Sequence, residues 1–171
     1  NAYSNKAVKK IFSLKKRPAF NPLIIHFKNL DDLKKDVIIN EDFIKLYKIL
    51  CPGPITFILK KKKESKISKI ATAEKNTVAI RIPKHNVIRN LLNNLNCPLA
   101  APSANIASKL SPTSAEDVVE EFGNKIKFVL DGGRCSIGLE STIIDLTGKP
   151  VILRPGSISA EKIQKILKKK V

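Results

Sequence analysis

Several features that the 171-residue sequence lacks narrow its class. It contains no methionine. No apolar run approaches the ~20 residues that a membrane-spanning helix needs, and no segment resembles a secretion signal. Hydrophobic residues still make up 43% of the chain, which is enough for a packed core. We therefore expect a soluble cytoplasmic domain with no membrane partner.

Cysteine is also scarce. The chain has Cys51, Cys97 and Cys135, which are far apart and odd in number. There is no CxxC pair and no cluster of histidine with cysteine, so the spacing predicts neither a zinc site nor a disulfide framework. The thiols are best interpreted as reduced side chains in the core or at strand ends.

Arginine is rare in a chain with 32 basic residues. Three of its arginines, Arg17, Arg81 and Arg154, lie near proline at loops or strand ends. A planar guanidinium holds phosphate or carboxylate with two hydrogen bonds, which an ammonium does not do. Each arginine taken alone is better explained by pairing with a surface carboxylate, but the three together favour an anionic ligand.

The formal net charge of +17 indicates a polyanionic partner such as nucleic acid. A lysine-favouring genome would produce the same excess without any such partner. Both interpretations stay open from composition alone.

Apolar spacing predicts a mixed α/β or α+β domain around a mixed sheet. The expected helices span 5–16, 29–35, 41–50 and 85–95, with one after a capping box of Thr113 with Glu116 that stops at Gly123 and a last one capped by Ser159. The expected strands span 23–27, 77–83, "CPLAA" and a run after "CPGP", followed by "KFVLDGG", "STIIDLT" and "VILRPG". "KKKKESK" is expected to be a solvated turn or hairpin.

The segment "PLAAPSAN" is uncharged and built from small side chains, so a ligand can approach its backbone. Ser103 and Asn105 at its end offer a hydroxyl and an amide that hydrogen-bond phosphate oxygens or a base edge. An ordinary polar turn is the plain alternative. His26 lies inside an apolar run, where a buried core histidine is the commoner outcome.

No catalytic nucleophile stands out. Cys135 has no base beside it in sequence, and the glycine-rich stretch 131–142 matches no known phosphate-loop pattern. Its glycines allow close backbone approach, while Glu140 and Asp145 are candidate charge partners or magnesium ligands. A phosphate-binding set without a nucleophile suits chemistry by positioning and charge stabilisation, such as adenylyl transfer from ATP.

Five long motifs follow one another along nearly the whole chain: "KKRPAFNPLIIHF", "CPGPITFIL", "VAIRIPKH", "PLAAPSANIASKLSPTSAEDV" and "DGGRCSIGLESTIIDLTGKPVILRPGSI". In this order they resemble the YrdC/TsaC family of L-threonylcarbamoyladenylate synthases. The resemblance implies a twisted open sheet of parallel and antiparallel strands with flanking helices, in a single domain over 1–171.

The resemblance also implies an activity. Family members use L-threonine, bicarbonate and ATP, usually with Mg²⁺, and release pyrophosphate with threonylcarbamoyl-AMP. Partner proteins then transfer the threonylcarbamoyl group to tRNA, at the adenosine beside the anticodon. The family begins with a strand and a "PTxTVYGLG"-type segment that this sequence lacks, so we expect the true N-terminus to be absent from it.

Roles for individual residues follow from the same resemblance. Lys15 and Arg17 are implied to hold ATP phosphates, and Ser103 with Asn105 to fix the nucleotide. Arg154 of "RPG" is implied to contact the AMP part. The threonine side of the pocket is implied to contain His26, Arg81 and Ser141.

Two other functions remain open at this point. One is a non-catalytic tRNA- or RNA-binding relative of the same fold, which the net charge favours. The other is carbamoyl transfer inside a longer chain, as in hydrogenase-maturation proteins.

Overall fold

The computed structural model describes residues 1–136 and 138–171, which build around a six-stranded sheet with strand order β4-β1-β3-β2-β5-β6. The strands are β1 (Ile24–His26), β2 (Ile55–Lys60), β3 (Thr77–Arg81), β4 (Leu99–Ala100), β5 (Thr142–Asp145) and β6 (Val151–Arg154). The pairs β1/β3 and β2/β5 are parallel and the other three are antiparallel. The predicted open sheet of mixed strand direction is confirmed.

Helices flank this sheet, and their ends agree with capping chemistry. They are α1 (Asn5–Lys15), α2 (Leu30–Leu33), α3 (Glu41–Leu50), α4 (Asn86–Asn93), α5 (Ala115–Phe122) and α6 (Ala160–Leu167), with a 3₁₀ turn at Gly123–Lys125. The side chains of Ser4, Asn40 and Ser159 accept hydrogen bonds from the first turns of α1, α3 and α6. The predicted helices in these regions are confirmed.

One face of the sheet forms the main core. Ile25, Ile80, Phe57 and Ile144 lie side by side on four neighbouring strands, and all four are fully buried. Phe57 meets Phe43 of α3 edge to face, with ring centroids 5.1 Å apart. Burial of each such side chain contributes about 2 kcal/mol, so this face fixes the strand register.

The register also fixes the opposite face at the ends of the strands. His26 pairs with Arg81, and Ile143 pairs with Arg154. Thr56 pairs with Ile143 and precedes Phe57, the partner of Ile80, so it lies opposite Arg81. Paired residues point to the same face, so a polar row crosses the sheet away from the main core.

The predicted strand over "KFVLDGG" is wrong. The segment forms no strand in the described part of the chain, and Phe128 and Leu130 are 90% and 60% exposed. Strand propensity is expressed only where another strand supplies hydrogen bonds and packing. The capping box of α5 lies one residue later than predicted: Ser114 pairs with Asp117, not Thr113 with Glu116. Thr113 donates to the same Asp117 carboxylate.

Lysine-rich "KKKKESK" begins at the end of β2 and continues into the long connection to β3, in agreement with the predicted charged turn. The buried carboxylate of Asp36 holds this connection, since it accepts hydrogen bonds from Tyr3 Oη, Ser65 Oγ and the Lys66 amide. Among the helices described, none has the length and apolar character needed to cross a membrane.

Candidate active site

Lys15 is the last residue of α1 and is only 5% exposed. Its ammonium donates to the carbonyl oxygen of Ser103 at 2.6 Å and also to the carbonyl oxygen of Asn105. The side-chain oxygen of Asn105 lies 3.5 Å away. Burial, and then the nearby charge of Arg17, lower the pKa of Lys15 below its usual value. Lys15 therefore fastens the loop that carries Ser103 and Asn105 to the end of α1.

Further bonds hold the same loop. Asn105 Nδ2 donates to the carbonyl oxygen of Lys109 at 2.6 Å. Glu121 of α5 accepts from the Ile106 amide and pairs with Lys109 Nζ at 2.9 Å. The Ser103 hydroxyl has no hydrogen-bond partner within residues 1–136 and 138–171, so it is available to a ligand. A cavity of about 530 Å³ opens beside Asn105 and Lys109, within the size range of small-molecule sites.

Arg17 lies two residues beyond α1, where its guanidinium organises the "RPAFNP" loop. Nε donates to the carbonyl oxygen of Asn21 at 2.9 Å, and Nη2 donates to Asn21 Oδ1 and the Pro22 carbonyl oxygen at 2.8 and 2.9 Å. The side chain is half-buried. This arrangement fixes the position of a cation close to the Lys15 anchor.

The polar row on the sheet begins with His26 and Arg81 on the parallel strands β1 and β3. His26 is buried, and its Nδ1 atom has no hydrogen-bond partner among the described residues. Burial, and then the charge of Arg81, lower the pKa of His26 from 6.5 to about 4. His26 is thus a neutral imidazole at pH 7 with an unused polar atom, which marks a position for a ligand group.

The row continues through Thr56, Ser141 and Arg154. Thr56 Oγ1 lies 2.8 Å from Ser141 Oγ, and Arg154 Nη2 donates to that Ser141 oxygen at 3.0 Å. Arg154 also donates from Nε and Nη2 to the Ser141 carbonyl oxygen, at 3.0 and 2.9 Å. The guanidinium is thereby held rigidly, with about a third of its side chain exposed.

Glu140 connects the row to the Lys15 loop. Its carboxylate lies 3.6 Å from Arg154 Nη2 and accepts from Ser111 Oγ at 3.2 Å. The same charge acts on Lys15 and Arg81, where it opposes the lowering of their pKa by burial. Because one carboxylate acts on all three cations, the loop and the row lie near each other. Glu140 is a charge partner, whereas Asp145 caps the turn after β5 by accepting from the Thr147 amide.

Gly156 allows two backbone segments to touch behind Ser141. A Cβ atom at this position would lie 2.4 Å from both the Glu140 carbonyl oxygen and the Thr142 nitrogen. Backbone atoms do not move aside without displacing Ser141, so no side chain fits. Within 131–142, where close backbone approach was predicted, a Cβ at Gly132 would lie 3.1 Å from His85 Cε1, whereas Cβ atoms at Gly133 and Gly138 would meet open space.

We expect Gly156→Ala to lower the free energy of unfolding by about 2 kcal/mol, because the clash strains the backbone. It should also weaken ligand binding at Ser141. Gly148→Ala is the matched control, because a Cβ there would touch nothing within 4 Å. Urea unfolding of both variants checks the prediction. Equal stability of the two variants would contradict it.

A second cavity of about 560 Å³, lined in part by Tyr3, Asp36 and Cys97, contains none of the predicted site residues. The buried carboxylate in this cavity belongs to Asp36, and its hydrogen-bonding capacity is already used by the bonds described above. One arginine outside the candidate site has a structural role: Arg89 donates to the Lys28 carbonyl oxygen at 2.8 Å. These groups support the fold and leave the polar row as the candidate site.

The resemblance implies magnesium, an ion that prefers several oxygen ligands such as carboxylates. No group of three or more histidine, cysteine, aspartate or glutamate side chains is placed to hold a metal ion in the part of the chain that the structure describes. Glu140 is the acidic side chain found in contact with the row, and it is engaged with Arg154. The described donor set does not form a protein-held magnesium site.

The structure places the eight predicted site residues in two adjoining groups: Lys15, Arg17, Ser103 and Asn105 around the loop, and His26, Arg81, Ser141 and Arg154 on the sheet. Sequence reasoning missed Thr56, which looked like an ordinary strand residue in "CPGPITFIL". Thr142 also carries a hydroxyl on a neighbouring strand, but that group donates to the Ile158 carbonyl oxygen and accepts from the Ile158 amide. The strand register places Thr56 on the face of the polar row and Thr142 on the opposite face. Sequence spacing does not reveal this register.

Comparison with known proteins decides the family. The family model described as Sua5_yciO_yrdC, telomere recombination, matches residues 1–156. The chain belongs to the Sua5/YciO/YrdC family. It is 46% identical over 171 residues to threonylcarbamoyl-AMP synthase of Pyrococcus abyssi, covering 98% of this chain and 49% of that protein. It is 40% identical to the enzyme of the same name from Bacillus subtilis, again covering 98% and 49%.

Solved structures of this family agree. P. abyssi Sua5 complexed with L-threonine matches with a TM-score of 0.93 and 45% identity, over 97% of this chain and 49% of that one. Escherichia coli YciO matches with a TM-score of 0.84 and 23% identity, over 95% and 79%, which shows the shared fold. The chain spans about half the length of the curated relatives first named here.

Proposed function

We propose that the chain provides the synthase domain of an enzyme that makes L-threonylcarbamoyl-AMP from L-threonine, bicarbonate and ATP, releasing pyrophosphate. The observation that carries the proposal is that Glu140 connects the Lys15–Ser103–Asn105 loop with the His26–Arg81–Ser141–Arg154 row. Family members of similar sequence are named for this product, and one was solved with L-threonine. The site offers cations and hydroxyls for two anionic substrates and no nucleophile of its own.

Threonine is assigned to the sheet row. Arg81 is largely buried and donates to the Gly53 carbonyl oxygen at 3.3 Å, which leaves its remaining N–H groups for the substrate carboxylate. The unused Nδ1 of the neutral His26 faces the polar groups of the amino acid. Ser141 supplies a hydroxyl between Arg81 and Arg154.

ATP is assigned to the loop. Ser103 and Asn105 position the nucleotide, and Arg154 contacts its AMP part. Arg17 and Lys15 offset the phosphate charge from the end of α1. Because the Lys15 ammonium is already bonded to loop oxygens, its main contribution is the shape and charge of the loop.

The reaction then follows from positioning. The threonine amine combines with bicarbonate and loses water to give a carbamate. A carbamate oxygen attacks the α-phosphorus of ATP, the bond to the bridging oxygen breaks, and pyrophosphate leaves. The arginines of the row and loop stabilise the negative charge that develops on the phosphate oxygens. Magnesium is assigned to the ATP phosphates as part of the substrate, since the described carboxylates form no site for it.

The product serves threonylcarbamoyladenosine formation in tRNA, with transferase proteins as the downstream partners and the cytoplasm as the place of action. The alternative is a non-catalytic tRNA-binding protein of the same fold. The net charge of +17 favours direct contact with tRNA in either case.

The test is conversion of ATP to AMP and pyrophosphate by the complete gene product containing these 171 residues. We expect conversion only when both L-threonine and bicarbonate are present, and a loss of at least ~100-fold in Arg81→Ala, which removes the carboxylate partner. Lys84→Ala, an exposed change three residues away, is the control. Absence of conversion together with salt-sensitive tRNA binding would favour the binding protein.

A further inference from the structure

Thr56 is fully buried on the polar row of the sheet. Its hydroxyl contacts Ser141 Oγ at 2.8 Å, and either oxygen is able to donate. The described residues provide the Thr56 hydroxyl with no second hydrogen-bond partner. The direction of this hydrogen bond decides which of the two hydroxyl protons, that of Thr56 or that of Ser141, is left without an acceptor in the protein.

The surroundings of Ser141 resolve the direction. Arg154 Nη2 donates to Ser141 Oγ at 3.0 Å, and a guanidinium never accepts, so one lone pair of that oxygen is occupied. If Ser141 donated to Thr56, the Thr56 proton would be left without an acceptor inside the core, which is costly. If Thr56 donates, both lone pairs of Ser141 are filled and the leftover proton belongs to Ser141.

The leftover proton of Ser141 lies on the side of the cluster that is nearer to solvent. Ser141 itself is only 2% exposed, but Arg154, which contacts the same oxygen, has a side chain that is 35% exposed. Arg81 and His26 lie on the adjacent strands beyond Thr56. A proton held in this direction donates to an anionic oxygen placed between the arginines.

We propose that Thr56 is a positioning residue that donates its proton to Ser141 and so commits the Ser141 hydroxyl to donating to an oxyanion oxygen of the amino acid substrate. The inference rests on the proposed function for the identity of that substrate. The hydrogen-bond direction itself does not depend on it. Thr56 acts through Ser141 and does not touch the ligand.

Kinetics of three variants test the role. Thr56→Val keeps the shape and removes the hydroxyl, and we expect the threonine KM to rise about 10-fold with kcat within about 2-fold, since uniform binding is lost. Thr56→Ser restores the hydroxyl and should return KM close to the parent value. Thr56→Val combined with Ser141→Ala should be no worse than Ser141→Ala alone, because Thr56 works only through that hydroxyl.

Two kinetic results would overturn the proposal. One is an unchanged threonine KM in Thr56→Val. The other is a double variant whose KM is the product of the two single effects, since that would mean that Thr56 acts independently of Ser141.

Hydroxyl protons observed by NMR in the protein without substrate give a test that does not depend on activity. Both residues are buried, so the two protons are compared with each other: we expect the Thr56 proton, which is held in a hydrogen bond, to exchange with solvent more slowly than the Ser141 proton. A Ser141 proton that exchanges more slowly than the Thr56 proton would overturn the proposal even in an active enzyme. A more slowly exchanging Thr56 proton in a protein that neither binds threonine nor converts ATP would uphold the bond direction and reject the proposed function.

Discussion

Replacement of Lys15 by methionine is expected to abolish ATP turnover and to lower the free energy of unfolding by about 3 kcal/mol, because one buried and one partly buried carbonyl oxygen lose a charged donor. The ammonium is the bond between α1 and the loop of Ser103 and Asn105. Methionine fills a similar volume without donating a hydrogen bond. Urea unfolding and the ATP assay, applied to the same preparation, measure the two effects.

Lys10→Met is the matched control for this change, since Lys10 lies on the exposed side of the same helix. It makes the same chemical replacement and should shift stability by less than about 0.5 kcal/mol. If Lys15→Met kept its stability and lost only its activity, Lys15 would be a phosphate ligand without the loop-fastening role.

Replacement of His26 by glutamine is expected to flatten the dependence of stability on pH. The pKa of His26 falls from 6.5 to about 4 in the folded chain, first through burial and then through the charge of Arg81. Between these values the unfolded chain binds a proton that the folded chain refuses, so stability decreases as the pH falls. This contribution to stability is fully present above pH 6.5 and is lost by about pH 4. The total loss of stability across this range is about 3 kcal/mol.

The measurement compares urea unfolding at pH 7.5 and pH 4.5 for the parent and for His26→Gln. Each protein is compared with itself, so any change in absolute stability cancels. His85→Gln is the control, since His85 is the other histidine of the chain and its side chain is exposed. If the parent and the His26→Gln variant lost the same free energy of unfolding between pH 7.5 and pH 4.5, His26 would be protonated in the folded chain and the prediction would be wrong.

Local patterns predicted most of the elements. The Ser159 cap and the alternation of "TVAIR" predicted a helix start and a strand without reference to the rest of the chain. The caps Ser4 and Asn40, which the structure adds, follow the same local chemistry. Where two local solutions compete within "TSAED", the sequence does not choose between them. Ser114 with Asp117 wins because Asp117 also accepts from Thr113.

The "KFVL" run shows what local patterns miss. Its residues have high strand propensity, yet the described chain offers them no neighbouring strand, and they stay exposed. A β-strand forms only when a second segment pairs with it, so the strand propensity of one segment does not decide whether a strand forms.

The candidate site was predicted unevenly. Rarity of arginine singled out Arg17, Arg81 and Arg154 as candidates for an anionic ligand, and their binding role stays a prediction. In the structure, Arg154 does what a lysine cannot do in the same way, since it donates three hydrogen bonds to one serine. No local sequence pattern predicts that Lys15 and Ser103 belong to one site, since they are 88 residues apart in the chain. Only the resemblance to a family placed them in the same predicted site. Thr56 was missed because a buried threonine among isoleucines is invisible until the register is known.

The strand order has a consequence for how the chain folds. Ile24 pairs with Ala79, and Ile55 with Thr142, so the two parallel pairings close long loops before any packing repays the lost entropy. His26, Arg81, Thr56 and Arg154 come from four strands that those closures bring together. Because the site needs residues from all four strands, we expect it to assemble only after both parallel pairings have formed. A partly folded chain would therefore lack the complete set of anion-binding groups.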